Sequence, residues 1–338
     1  MDPRKERILR AVVSDYTETT VPVGSQALAA RYFLELSAAT IRNELADLAD
    51  DGFLQQPHTS AGRIPTDRGY RYFVDFLLPV EVVEPAVRRT VRQAFQAAPG
   101  HAEAILEVAA AVMSRLSDNV AVVTGPVSSG SRLKHMDLAA LRPGEALLLL
   151  VASGNLIRNQ PIPVDRALDQ EQLTRIAQQL NRRHVGASAA EMEAAPADPA
   201  DPAGTPAVRA QVAAGLRQLD ESATIVVHDG MRNLIGQPEF GDPERLQAVL
   251  EVLEAQRVMA GLLRQFDPGV GVQAVIGHEN TVEQLWGCSF MVTQYRAGAS
   301  LRGTIGVVGP TRLRYGRVAA RMQMVSQLTG DALQRVLA

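Results

Sequence analysis

The stretch Ser37-Ala38-Ala39-Thr40-Ile41-Arg42-Asn43-Glu44-Leu45-Ala46-Asp47-Leu48 decides how this 338-residue chain is read. Ser37 is a residue type that caps a helix N-terminus and Gly52 one that ends a helix, so the run predicts a helix from Ala38 to about Asp51. At about 100° per residue, Ile41, Leu45 and Leu48 share one side. Ala39, Asn43 and Ala46 point the other way, flanked by Thr40 and Arg42. A helix that buries one edge and offers small, polar and cationic residues on its leading turns has the form needed to enter a major groove. Asn43 can pair with adenine through two hydrogen bonds, Arg42 reaches guanine or phosphate, and Thr40 bonds phosphate or touches a thymine methyl. The Ser37-capped terminus itself favours phosphate.

On the N-terminal side, Ile8, Leu9, Val12, Val13 and Tyr16 form the apolar stripe of a helix from Pro3 to Thr17. Val23-Gly24-Ser25 then supplies a turn and a cap for a short helix carrying Leu28. On the C-terminal side, Phe53 to Gln56 is strand-like, His58-Thr59-Ser60-Ala61-Gly62-Arg63 makes a polar tip, and Ile64-Pro65 returns, which predicts a hairpin or wing. In that wing Arg63 is suited to a minor groove, Gly62 lets the backbone come close to phosphate, and His58, Thr59 and Ser60 are candidate backbone contacts. Thr66 and Asp67 cap a further helix whose Tyr70, Tyr72, Phe73 and Phe76 read as core, and Pro79 closes it. The expected fold class is therefore α+β, opening with a winged helix-turn-helix over residues 1–78. Residue pattern alone leaves a protein-docking module open beside DNA binding.

Bulk charge speaks against nucleic acid. The chain carries a net charge of −3, and its first 78 residues hold nine Lys/Arg against eleven Asp/Glu. Placement answers part of this, because Glu44, Asp47, Asp50 and Asp51 lie in the later turns of the helix and charges act over roughly 8 Å at physiological salt. With 46% hydrophobic and 21% charged residues, apolar surface buried between subunits is expected. The single cysteine, Cys288, excludes an intrachain disulfide and fits a cytoplasmic setting. The charged start does not resemble a signal peptide, and the apolar run from Ala146 to Ala152 is too short to span a bilayer, so no membrane partner is expected. His58, His101, His135, His184, His228 and His278 lack metal-ligand spacing, and no Walker loop or G-x-S-x-G motif occurs. No enzyme activity, metal or cofactor is expected.

Beyond the first domain, residues 79–118 read as a helical connector split by Ala98-Pro99-Gly100. Short apolar strands follow at Val120 to Val123, Leu147 to Val151 and Leu156 to Ile162. Helical patterns occupy Asp169 to Asn181 and Arg245 to Phe266. Strands return at Val270 to Ile276, Ser289 to Tyr295 and Ser300 to Val308, and a helix from Arg317 to Leu328 closes the chain. Ala194 to Ala207, built almost wholly of Ala, Pro and Asp, reads as a disordered loop.

Taken together, Ser37 to Leu48, Gly52-Phe-Leu and Pro57-His-Thr-Ser-Ala-Gly-Arg-Ile-Pro-Thr-Asp-Arg-Gly-Tyr-Arg-Tyr-Phe-Val-Asp75 closely resemble the HrcA family of bacterial heat-inducible transcription repressors. Lys134-His-Met-Asp-Leu138, Gly277-His278-Glu279-Asn280 and Gly306-Val-Val-Gly-Pro-Thr-Arg-Leu-Arg-Tyr315 extend the resemblance over nearly the whole chain. The resemblance implies a homodimer that represses GroE- and DnaK-type chaperone operons through an inverted-repeat operator, CIRCE, and that the GroEL chaperonin keeps active. It also implies a GAF-like domain, expected over 119–164 and 267–338, with a dimerising domain inserted over 165–266. A GAF-like domain raises an alternative, a repressor gated by a small ligand, in which His278, Glu279 and Asn280 either line a pocket or form a turn. The Pro/Asp/Ala segment Ala194 to Ala207 departs from the family pattern.

Overall fold

The computed structural model describes residues 1–58, 61–79, 81–128, 130–153, 156–196, 198–222, 226–264, 266, 271–298 and 301–337, and they form a mixed α/β protein. Three helices come first: α1 (Pro3–Thr19), α2 (Ser25–Arg31) and α3 (Ala38–Asp50). The two-stranded antiparallel ribbon of β1 (Leu54–Gln55) and β2 (Ile64–Pro65) follows, with Leu54 opposite Pro65 and Gln55 opposite Ile64. Next, α4 (Asp67–Tyr72) runs on into a wider π-type turn over Phe73–Leu77. Ile8, Leu9 and Val12 of α1 are buried, as are Leu28 of α2, Ile41 and Leu48 of α3, and Tyr70 of α4. Aliphatic spacing at three and four residues places these side chains on inward faces. One expected core aromatic departs from this pattern. Phe73 and Leu77, four residues apart, take the inner side of the turn, and Phe76 is left 70% exposed, its ring 4.8 Å from that of Tyr72.

Helices α5 (Pro85–Gln96) and α6 (Ala102–Ser117) lead to β3 (Val120–Thr124). The expected connector is not a tether, because α6 packs on β3 and on the C-terminal helix and buries Ile105, Leu106, Ala109 and Met113. From Gly125 to Ile225 the chain builds a second compact unit, joined by Arg296–Gly303. It comprises the short strand β4 (Val127–Ser128), the meander β5 (Leu133–Arg142), β6 (Glu145–Ala152) and β7 (Ile157–Pro163), and helices α7 (Gln170–His184), α8 (Ala189–Ala194) and α9 (Thr205–Ser222). Alternation along the strands sends Met136, Leu138, Leu148, Leu150 and Ile162 to one face. Leu173, Ile176 and Leu180 of α7 and Val212 and Leu216 of α9 cover that face. The Asn181 side chain accepts from Met136 N–H at 2.9 Å and donates to its carbonyl at 2.8 Å. Gln170 does the same for Ala140 N–H (2.7 Å) and the Leu138 carbonyl (2.9 Å), so α7 side chains occupy the outer edge of β5.

The expectation of a disordered loop over Ala194 to Ala207 does not hold for its described residues. Arg183 pairs with Asp198 and, at 2.9 Å, with Asp201, while Thr205 and Val208 at the start of α9 are buried. Composition underrated the segment because its acids meet an arginine of α7.

The first unit resumes with β8 (Val226–Asp229), α10 (Met231–Ile235), α11 (Pro243–Glu254), α12 (Gln256–Arg264), β9 (Gln273–Ile276), β10 (Cys288–Ala297), β11 (Leu301–Pro310) and α13 (Tyr315–Leu337). Its sheet runs β8-β3-β11-β10-β9, with β3 antiparallel to both β8 and β11. Val120, Val122, Phe290, Val292 and Val308 pack with Leu253, Met259 and Leu263 of α11 and α12. The insertion therefore begins at Gly125 rather than residue 165 and ends at Ile225 rather than 266. The strands of residues 133–163 do not join those after 267: their apolar face is satisfied by the helices that directly follow them in the chain.

Candidate nucleic-acid interface

Helix α3 starts at Ser37, whose extended backbone (φ −71°, ψ 148°) lets its Oγ accept the Thr40 N–H at 3.0 Å. The two hydroxyls lie 2.9 Å apart, so Ser37 and Thr40 close the first turn together. Ile41, Leu45 and Leu48 are buried, and Ala39, Arg42 and Asn43 are exposed. Neither Arg42 nor Asn43 makes a side-chain hydrogen bond or ion pair among the described residues, and both are thus free to bind an outside partner.

Most of the acids of α3 are answered from within the protein. Glu44 lies 3.4 Å from the Arg4 guanidinium, and Lys5 Nζ lies 3.1 Å from Asp47 and 3.7 Å from Asp51. The hydrogen bond to Asp47, aided by the nearby carboxylates, holds the Lys5 ammonium above the usual lysine range. Elsewhere in the module Glu35 meets Arg7 at 2.8 Å and Asp15 meets Arg31 at 2.6 Å. Negative charge is drawn toward α1 and the leading turn of α3 keeps an unmatched cation, which weakens the objection from net charge. The basic residues near the start of α1 carry the signal for this, but their partners some forty positions away are not legible in sequence.

The ribbon differs in detail from expectation. His58 is exposed, its carbonyl accepts the Ala61 N–H at 2.9 Å, and Gln56 donates to the Ala61 carbonyl at 2.9 Å. Thr59 and Ser60 lie outside the described residues. Gly62 has a use inside the protein: a Cβ there would lie 2.5 Å from the Val23 carbonyl. Arg63 exchanges two 2.9 Å backbone hydrogen bonds with Val23, and its half-buried side chain keeps Nε without a hydrogen-bond partner among the described residues. Gly62 and Arg63 thus root the ribbon on the α1–α2 turn.

Gly277 to Glu279 form a 3₁₀ turn. Asn280 is buried and donates to the carbonyls of Gly277 (2.7 Å), Leu285 (3.2 Å) and Cys288 (3.1 Å). His278 and Glu279 are bonded to residues of α4. The motif is therefore a turn, and its His278 also lines a cavity with Asp67, Arg68, Tyr70 and Glu239.

A three-helix module with a ribbon, the leading face of its third helix open, joined to an antiparallel sheet with helices on both faces, is the class of protein that the fold and this surface define. A family model described as the HrcA protein C terminal domain matches residues 103–319. The proteins named heat-inducible transcription repressor HrcA from Roseiflexus castenholzii and Natranaerobius thermophilus are each 34% identical to the chain. Those alignments cover 98% of this chain and 94% of the first relative, and 96% of this chain and 95% of the second. A crystal structure of a hypothetical protein shares the fold with a TM-score of 0.60 at 21% identity, covering 99% of this chain and 98% of that one. The chain belongs to the HrcA family.

Proposed function

We propose that the chain is a dimeric repressor of chaperone operons of the GroE and DnaK type, which reads an inverted-repeat CIRCE operator with a winged helix-turn-helix formed by residues 1–78. The observation that carries this reading is α3: Ile41, Leu45 and Leu48 are turned inward, and Arg42 and Asn43 are exposed and unpaired beside the small Ala39. Ser37 and Thr40 at the N-terminus and His58 and Arg63 on the ribbon complete the contact surface. The sheet of β3 and β8–β11 is the GAF-like domain of this scheme.

Dimerisation is assigned to the second unit. Helices cover one face of its three-stranded sheet, and the other carries Leu141 (54% exposed), Leu149 (38%) and Ile157 (67%) together with Leu147 and Val151. Register sets Leu147 between Ala139 and Pro161 and Val151 between His135 and Ile157, with Leu149 between Asp137 and Asn159, so an apolar row runs along β6. Burying such a face against its own copy stabilises at roughly 25 cal/mol per Å² and brings two α3 helices to two half-sites. A chain with only 21% charged residues suits the further role of chaperonin client, with GroEL holding the repressor competent until unfolded proteins draw it away.

A mobility-shift experiment tests this function with a CIRCE-type inverted repeat and a scrambled control, each with and without GroEL. Binding to the repeat, strengthened by chaperonin, is expected. Equal affinity for the scrambled duplex would overturn the reading.

A further inference from the structure

Helix α4 is held from two sides. Toward the ribbon and α3, the Thr66 hydroxyl donates to the Gly52 carbonyl at 2.7 Å, and Arg68 donates to the Asp51 carbonyl, at the end of α3, at 2.7 Å. The Arg68 guanidinium lies 4.5 Å from the centroid of the Phe53 ring. Gly69 approaches the Phe53 carbonyl so closely that a Cβ would lie 2.2 Å from it. On its other side, α4 offers Asp67 and Arg71, one turn apart and therefore on one face. Asp67 Oδ2 accepts the His278 backbone N–H at 2.9 Å and lies 2.7 Å from its Nδ1. Arg71 donates to both oxygens of Glu279, at 2.8 and 2.5 Å, and to the Ala274 carbonyl at 2.7 Å. Gly277, at φ +53°, leaves room for Asp67: a Cβ there would lie 2.1 Å from the carboxylate. The His278 ring lies 5.0 Å from that of Trp286, the chain's single tryptophan.

Two-point, bidentate contact fixes orientation as well as distance. We propose that Asp67 and Arg71 are positioning residues: by gripping His278 and Glu279 they hold α3 at a set orientation to the C-terminal sheet, and this grip determines which half-site spacing the dimer accepts. The inference rests on the operator-binding reading above. Without the grip, each DNA module swivels on its own and reads a half-site as before, but the pair no longer discriminates between spacings.

The test uses full-length wild type, Arg71→Met and Glu279→Gln, titrated against a single half-site, the CIRCE-type repeat, and the repeat with about five base pairs inserted, half a helical turn. Wild type is expected to bind the lengthened repeat at least about tenfold more weakly than the native one, because the second contact is lost. The variants are expected to keep half-site affinity within about twofold while that penalty shrinks below about threefold, with Trp286 emission shifted as its His278 neighbour loosens. Variants that show the shifted emission yet retain the full wild-type spacing penalty would overturn the proposal. So would variants that lose half-site affinity by the same factor as repeat affinity, which marks a structural role alone. Asp67→Asn separately tests the His278 side of the grip and is expected to give the same pattern more weakly. If wild type fails to bind the half-site and the repeat alike, the operator-binding reading itself falls, and that result is distinct from a retained penalty.

Discussion

At the residue scale, Arg42 and Asn43 matter because nothing among the described residues competes for them. Replacing either with alanine is expected to relax base preference by about 1–3 kcal/mol at one position of each half-site and to leave the dimer intact, as binding to a panel of single-base operator variants would read. Arg63→Ala is expected to weaken binding to all sequences and flatten the salt dependence, since it removes one cation from the proposed contact surface. Cys288 stands apart from these: burial pushes its thiol up to about 12, so it stays protonated at neutral pH and should react with a thiol reagent only on unfolding. The exposed face of α3 was legible in sequence because helical periodicity alone decides it. Gly62 was legible as special, but its packing role was not, because the Val23 carbonyl that forbids a side chain there comes from a distant turn. Asp67 was likewise read as a cap, yet Thr66 Oγ1 accepts the Gly69 N–H at 3.1 Å and leaves Asp67 for His278.

At the scale of elements, the caps are the weak points. Ser37→Ala removes the acceptor for Thr40 N–H and is expected to lower stability by about 1 kcal/mol, measured by urea unfolding, while fraying the turn that carries Thr40 and Arg42. The Asp198 carboxyl sits below the ordinary aspartate value of 3.8, first because the Ala200 N–H donates to it and then because Arg183 faces it. Its contribution is therefore full above that ordinary value and is lost as the pH falls through the lowered native one. Faster amide exchange over residues 198–204 in acid, with the α7 amides still protected, is the expected result. Local signals located α5 and α6 on either side of Ala98-Pro99-Gly100. They failed at Phe76, where a π-type turn changes the spacing, and at Ala194 to Ala207, where ordering depends on Arg183 from another helix.

At the scale of the whole molecule, Leu149→Asp sets a second carboxylate beside Asp137, in the middle of the apolar row of β6. Light scattering should then report a monomer, and repeat affinity should fall toward that of a half-site. The division into two units was the least legible feature of the sequence, because β3 finds its partner β11 some 180 residues later, and nothing local to Val120–Thr124 names that partner. Strand propensity shows that a segment pairs but not with what. The blunted margins of the smaller sheet have one more consequence. Gln170 and Asn181 occupy the rim of β5, and the opposite outer strand carries Pro161 and Pro163, which lack an N–H to offer. Growth by adding strands is thereby hindered at these positions on both rims. In the proposed dimer the exposed face of β6 is then the surface left for a second copy, and assembly is expected to stop at a pair instead of running on into a fibre.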